Sequence, residues 1–235
     1  MSRMWCSWYG VNSGGGMTEF LKTADGSMTV RHPVLGELYH SDRGAVGEAE
    51  HVYIRAGFDA VSAGEAAVFE VGFGTGLNAW LTFRRAAETG RRVDYRAIEL
   101  YPVEREDAAR LNYTDDPLFL ELHDATWDGA RHEVGAGCGL TKYRTDLLRF
   151  DFAPLAECFD VIYFDAFAPD AQPELWSAEV MERMFSILKP GGVLVTYSAK
   201  GTVKRALRAA GFEVVRLPGA LGKRHMVRAV KPSVE

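Results

Sequence analysis

Cysteine is scarce in this chain. Cys6, Cys138 and Cys158 are the only three in 235 residues, and none stands in C-x-x-C spacing. An odd, scattered set excludes a disulfide framework and a thiolate zinc site, and it suits a reducing compartment. Long apolar runs are missing too: none approaches the roughly 18 residues of a membrane span, and the N-terminus has no apolar signal core. A cytoplasmic protein with no membrane partner is expected. The histidines, His32, His40, His51, His123, His132 and His225, form no H-E-x-x-H pattern, and no metal site is expected. A Walker loop, a G-x-S-x-G elbow, internal repeats and low-complexity tracts are likewise absent. Excess positive charge is lacking overall, since the net charge is −5. From Lys200 onward, however, nine Lys and Arg face two Glu, so that this segment carries +7 and the remainder −12. Such a basic stretch is either a solvated face or a phosphate-contacting patch.

What is present is ordinary globular composition, 47% hydrophobic and 25% charged, with enough length for one large core. Residues 1–16, ending Asn12-Ser13-Gly14-Gly15-Gly16, read as a flexible lead-in, and 17–235 as a single domain whose first part, about 17–62, is an irregular extension. In that extension Asp25-Gly26 and His32-Pro33 punctuate short strands, and Ala45–Phe58 reads as a helix. Strands and helices then alternate: strand Ala67–Val71, helix Leu77–Glu88, strand Val93–Leu100, helix Val103–Leu111, and a weaker strand at Leu140–Arg144. The pattern continues with strand Phe159–Phe164 and helix Pro173–Leu188, stopped by Lys189-Pro190-Gly191-Gly192. Last come strand Val193–Tyr197, helix Val203–Ala210, and the strands Phe212–Leu217 and Met226–Val230. Near-continuous apolar strands alternating with helices imply an α/β fold, a mostly parallel sheet covered on both faces. The final pair, joined by Pro218–Lys223, fits an antiparallel edge hairpin.

Glu70-Val71-Gly72-Phe73-Gly74-Thr75-Gly76-Leu77-Asn78 joins the first of these strands to its helix through a glycine loop. The spacing is G-x-G-x-G, with Leu77 where the dinucleotide fingerprint has its third glycine. A loop of this kind suits a nucleoside ligand without phosphates, of which S-adenosylmethionine is the usual one. Glu70, Gly72, Phe73, Gly74, Thr75, Gly76 and Asn78 are thus candidate cofactor residues, with Glu70 cast as support for the loop amides. Ligands in such sheets lie outside the carboxyl ends of the strands. There Glu99 is placed to accept both ribose hydroxyls. Asp146 is placed either to accept the adenine amino group or to cap a helix.

Asp165 ends the fourth strand and opens Asp165-Ala166-Phe167-Ala168-Pro169, which resembles the acidic, proline and aromatic motif of amine methyltransferases. Methyl transfer from a sulfonium requires nitrogen, carbon and sulfur in line, so positioning dominates. Reference pKa values of about 3.9 for Asp and about 10.4 for an alkylammonium make a carboxylate a poor base. Asp165 is therefore assigned to orienting the amine, with its proton going to water. Phe167 is a candidate to stack on a base, and Trp176 reads as core.

Taken together, Tyr39-His40-Ser41, Gly44-Ala45 with Glu48, His51-Val52-Tyr53-Ile54, Gly72–Asn78, Ile98-Glu99-Leu100-Tyr101-Pro102, Asp165–Pro169 with Pro173-Glu174-Leu175-Trp176, Pro190-Gly191-Gly192, Lys200-Gly201-x-Val203-Lys204-Arg205, Ala210-Gly211-Phe212 and Gly222-Lys223-Arg224-His225-Met226 resemble one family. It is the methyltransferase component of the bifunctional tRNA wobble-uridine enzyme MnmC, also found standalone, and the likeness runs from about Thr23 to Ala229. His225 and Lys204 depart from the glutamate and arginine commoner in the family. The resemblance implies a class I S-adenosylmethionine-dependent methyltransferase fold, Rossmann-like, that methylates the primary amine of 5-aminomethyl-2-thiouridine in tRNA. It implies no flavin in this chain, so that a separate FAD-dependent oxidase or other machinery supplies the aminomethyl substrate. It also gives the basic segment a purpose. Lys200, Lys204, Arg205, Lys223 and Arg224 become candidates for gripping the anticodon arm, with Phe167 and Pro169 beside the base. Two other readings stand beside this one. They are a methyl- or aminopropyltransferase for small amines, and a non-catalytic cofactor- or RNA-binding module.

Overall fold

Successive residues of a strand face opposite sides of a sheet, and the central strands here are apolar on both. Val161 and Tyr163 enter one core layer with Val68, Tyr95 and Val195, whereas Ile162 and Phe164 enter the other with Phe69, Ile98 and Leu194. The computed structural model, which describes residues 8–11, 17–32, 34–40, 44–62, 64–135 and 137–233, meets that demand with helices on both faces. Each fully buried side chain of this size contributes about 1.5–3 kcal/mol.

The extension begins with a three-stranded antiparallel sheet of β1 (Trp8–Val11), β2 (Met17–Lys22) and β3 (Met28–Val30). β1 falls inside the expected lead-in and is not free chain, because its backbone pairs with β2 from Trp8↔Phe20 to Val11↔Met17. The rest of that lead-in, residues 1–7 and 12–16, lies outside the described residues. Next, α1 (Ala45–Ala49) runs directly into a wider π-type turn over Glu50–Arg55, so the helix expected over Ala45–Phe58 is present but irregular. Turns of this width re-aim the side chains that follow, and this one carries Tyr53.

The main sheet follows: β4 (Glu65–Val71), α2 (Leu77–Thr89), β5 (Arg92–Glu99), α3 (Arg105–Ala108), α4 (Pro117–Asp124), β6 (Asp128–Glu133), β7 (Gly139–Arg144), β8 (Phe159–Phe164), α5 (Ala178–Ile187), β9 (Leu188–Thr196), α6 (Gly201–Ala209), β10 (Glu213–Pro218) and β11 (His225–Val230). The spatial order is β10-β11-β9-β8-β4-β5-β7-β6. The five strands from β9 to β7 are parallel, while β11, β10 and β6 are antiparallel additions at the edges. The α/β class and the edge hairpin are as the sequence implied.

Three local differences have physical causes. The helix expected over Val103–Leu111 is only four residues long, because beyond Ala108 the amides of Arg110 and Leu111 bond three residues back, to Asp107 and Ala108. α4 goes beyond the sequence expectation, although Asp116 caps it by accepting from the Leu118 amide and Pro117 opens it. β6 escapes a pattern reading because Asp128, Arg131 and Glu133 lie on an exposed edge and leave no apolar alternation. After β4 the chain turns to β5 on one side, while β8 lies on the other. The crevice of the fold therefore opens between the ends of β4 and β8.

Candidate active site

Backbone bonds gather the ends of β4, β5 and β8. Gly72 N donates to Ile98 O at 3.0 Å, and Asp165 N donates to Val71 O at 2.9 Å. Gly72 takes φ +86°, and a Cβ there would stand 2.7 Å from the Asp165 carbonyl oxygen, so only glycine lets the two loops meet. Gly74 takes φ +52°, and the Tyr39 ring lies where its Cβ would be. Beyond Gly76 the loop enters α2. Glu99 holds this loop from the end of β5: its Oε2 accepts from Gly74 N at 3.1 Å, and its Oε1 from the amides of Leu100 and Tyr101 at 2.8 and 2.9 Å. Burial raises its pKa and these three bonds oppose the rise.

Asp165 faces the crevice with both carboxylate oxygens held by side chains. Tyr53 OH donates to its Oδ1 at 2.5 Å, and Asn78 Nδ2 donates to its Oδ2 at 2.8 Å. The same Asn78 nitrogen donates to Glu70 Oε1 at 2.9 Å, so α2 links the carboxylates of β4 and β8. Glu70 thus supports Asn78 and not the loop amides, because strand alternation turns its side chain under α2; its Oε2 is buried without a partner. Burial pushes the Asp165 carboxyl up to about 7, with Glu48 adding to the rise. The bonds from Tyr53 and Asn78 and the nearby Lys223 oppose it. Glu70, wholly buried, is raised well above the carboxylate range by desolvation.

The cavity before these groups holds about 850 Å³. One wall is the N-terminal extension: the rings of His32 and Tyr39 stand edge-on to Phe167 at 5.0 and 5.1 Å between centroids. His32 is neutral, since its Nδ1 accepts from the amides of Val34 and Leu35 and burial lowers its pKa. His40 Nε2 meets Thr75 Oγ1 at 2.7 Å, with burial pushing the imidazole down to about 4. Behind the loop His123, also pushed down to about 4 by burial, meets Thr75 O at 3.1 Å.

Of the residues singled out in the sequence, Gly72, Phe73, Gly74, Thr75, Asn78, Glu99, Asp146, Asp165, Phe167 and Lys223 line this one cavity. Glu70 and Gly76 stand behind its wall. The Phe73 ring is packed away from the opening, edge-on to His123 and Trp127. Asp146 lines the cavity and closes a turn, its Oδ1 accepting from Leu148 N at 2.9 Å; no helix starts there for it to cap. Trp176 is core, as read, and ties down the loop after Asp165 by donating from Nε1 to Phe167 O at 2.8 Å. Pro169, Lys200, Lys204, Arg205 and Arg224 lie outside the cavity. Lys223 departs most from its expected role: it points inward and pairs with Glu48, because a half-buried carboxylate there requires a cation. Lys200 pairs with Asp170 at the surface. Tyr53, Glu48, Tyr39, His40 and Tyr197 carry no role that sequence alone assigns; all come from the extension or from beyond β9, and only tertiary structure brings them in.

The donor set fits S-adenosyl-L-methionine. The loop at Gly72 and Gly74 admits close backbone approach, Glu99 supplies a carboxylate at the end of β5, and Leu147 and Leu148 give an apolar flank beside Asp146.

Comparison with known proteins agrees with this geometry. The family described as S-adenosyl-L-methionine-dependent methyltransferase matches residues 139–232. Over 208 residues, 82% of its length, the chain is 35% identical to the tRNA 5-methylaminomethyl-2-thiouridine biosynthesis bifunctional protein MnmC of Azoarcus sp. (strain BH72). It spans 32% of the length of that relative. The fold matches the crystal structure of MNMC2 from Aquifex aeolicus with a TM-score of 0.72 at 24% identity, covering 97% of this chain and 75% of that one. A spermidine synthase from Thermotoga maritima shares the fold more distantly, with a TM-score of 0.54 at 15% identity over 100% of this chain and 81% of that one. Among the described residues no helix is long and apolar enough to cross a membrane. The chain belongs to the MnmC methyltransferase-like family of S-adenosyl-L-methionine-dependent methyltransferases.

Proposed function

We propose that this enzyme methylates the primary amine of 5-aminomethyl-(2-thio)uridine at the tRNA wobble position, giving 5-methylaminomethyl-(2-thio)uridine. The observation that carries this reading is Asp165, fixed by Tyr53 and Asn78 within one backbone hydrogen bond of the glycine loop. The name of the Azoarcus relative supports the nucleoside and the RNA.

The cofactor supplies an electrophilic methyl group on sulfur; the chain's residues position and deprotonate the amine. Phe167, Tyr39 and His32 offer ring edges and faces for the extruded base. Asp165 receives the aminomethyl group. With its pKa near 7 instead of the ordinary 3.8, its carboxylate is a stronger base than composition alone implied. This favours proton transfer to Asp165 Oδ in place of loss to water, before nitrogen attacks in line. Tyr53 and Asn78 keep both oxygens oriented while the charge moves. Lys200, Lys204, Arg205 and Arg224, all near the carboxyl edge of the sheet, are assigned to phosphates of the anticodon arm.

The test is nucleoside mass spectrometry of tRNA carrying the aminomethyl nucleoside, incubated with purified protein and labelled cofactor. Label in the methylaminomethyl nucleoside, lost with Asp165→Ala, is expected. Labelling of free amines with equal efficiency and none in RNA would move the substrate to small amines.

A further inference from the structure

We propose that Lys223 holds the place of the substrate's ammonium, pairing with Glu48 until the incoming aminomethyl group displaces it, so that Glu48 is the second carboxylate of the amine site. This rests on the amine-methylation reading above. Lys223 Nζ is itself a primary alkylammonium, the same chemical group as protonated aminomethyluridine, and it lies in the cavity that Asp165 faces.

Its surroundings are those an ammonium substrate needs. The Glu48 carboxylate, on α1, has a side chain only 12% exposed, and Lys223 is its ion-pair partner. Lys223 Nζ lies 5.4 Å from the centre of the Tyr197 ring, which offers a cation–π face. Tyr197 OH donates to Ala166 O at 2.9 Å, so that face is anchored to the residue after Asp165. Among the described residues the other Lys or Arg lining the cavity, Arg31, is engaged by Glu19 at 2.7 Å and by Gly36 O at 2.6 Å. Among the described residues, the end of the cavity between Glu48 and Asp165 therefore holds two carboxylates and one cation. A second ammonium added beside Lys223 would meet a like charge, whereas one that replaces it finds the same partners.

The chain permits the exchange. Lys223 follows Leu221 and Gly222, both in the left-handed region at φ +48° and +81°, in the turn between β10 and β11. That turn is held independently of the lysine side chain: Lys223 N donates to Ala220 O at 2.9 Å, and His51 Nε2 lies 2.8 Å from Pro218 O. The Lys223 side chain is 36% exposed, so its four-carbon stem can swing to solvent with the backbone in place.

The experiment is steady-state methylation of anticodon-arm RNA carrying 5-aminomethyluridine, together with acetic anhydride labelling of Lys223 read by peptide mass spectrometry. Lys223→Met removes the competitor, so KM for the RNA should fall about two- to fivefold with kcat nearly unchanged, the range expected for a partly exposed ion pair. Glu48→Gln should raise KM, and the double variant should follow Glu48→Gln. In the wild type, Lys223 should label faster when the RNA and S-adenosylhomocysteine are both bound. A rise in KM for Lys223→Met with a flatter salt dependence would return Lys223 to the phosphates and overturn the proposal. So would unchanged KM in both single variants, or unchanged labelling. A wild type that binds cofactor yet methylates none of this RNA refutes the amine reading and this proposal with it, a result distinct from methylation that ignores Lys223.

Discussion

Asp165→Asn should make the protein inactive and, above neutral pH, more stable. Burial raises the Asp165 pKa from 3.8 to about 7, which sets a ceiling of about 4 kcal/mol on the cost of its ionised form at alkaline pH. That value is already net of the bonds from Tyr53 and Asn78, which hold the carboxyl lower than burial alone would, and the amide that replaces it accepts and donates less strongly than the carboxylate accepts. Asparagine can satisfy both neighbours, accepting from Asn78 through its oxygen and donating through its amide to a rotated Tyr53 hydroxyl. The net expected gain is therefore about 1–3 kcal/mol at pH 8. The sign follows from proton binding. An acid with a raised native pKa holds its proton in the fold at pH values where the unfolded chain has released it. Its contribution is complete below about 3.8 and lost as pH rises through about 7. Urea unfolding at pH 5 and pH 8 should show the variant near wild type at the lower pH and ahead at the higher, with methylation abolished at both. Wild-type methylation should in turn rise as pH passes through 7, where Asp165 ionises. A variant less stable than wild type at pH 8, or a gap that does not widen with pH, would refute the assignment of strain to this carboxylate.

Gly72→Ala puts a methyl group against the Asp165 carbonyl in a backbone region that L-residues avoid. A loss of about 2–4 kcal/mol is expected. Cofactor affinity measured by calorimetry should fall as well, whereas Gly74→Ala meets only the movable Tyr39 ring and should cost less. Replacing Lys200, Arg205 and Arg224 together by Ala should weaken tRNA binding and reduce the slope of log K against log salt by about 0.7–0.9 for each phosphate no longer neutralised, with cofactor affinity unchanged. An unaltered slope would place the RNA elsewhere.

The parts of the site that can be read from sequence are those where one short segment carries the whole message. Gly72, Gly74 and Gly76 follow a strand and open a helix, and Glu99 and Asp165 each end a strand, so the rule that ligands lie at carboxyl ends already places them on one side. Tyr53 is not legible because its partner Asp165 is 112 residues away and its aim depends on a π-type turn that no spacing rule announces. Lys223 misleads because a lysine in a basic stretch looks alike whether it faces solvent or a carboxylate. The difference is Glu48, 175 residues earlier. The raised pKa of Asp165 belongs with these, since burial is a property of the assembled fold. Among the helices and strands, α4 leaves a legible signal at Asp116-Pro117, whereas the charged edge strand β6 leaves none.

The hydrogen bond from Asp165 N to Val71 O has a consequence for how this scaffold can change. The glycine loop and Asp165 hang from adjacent parallel strands, so their main-chain spacing is a fixed gauge. The wall of His32 and Tyr39 comes instead from the chain that follows β3, outside the main sheet. Under the proposed reaction, new acceptors would be admitted by redesigning that outer wall, while the stride from loop to carboxylate stays as the two strands dictate.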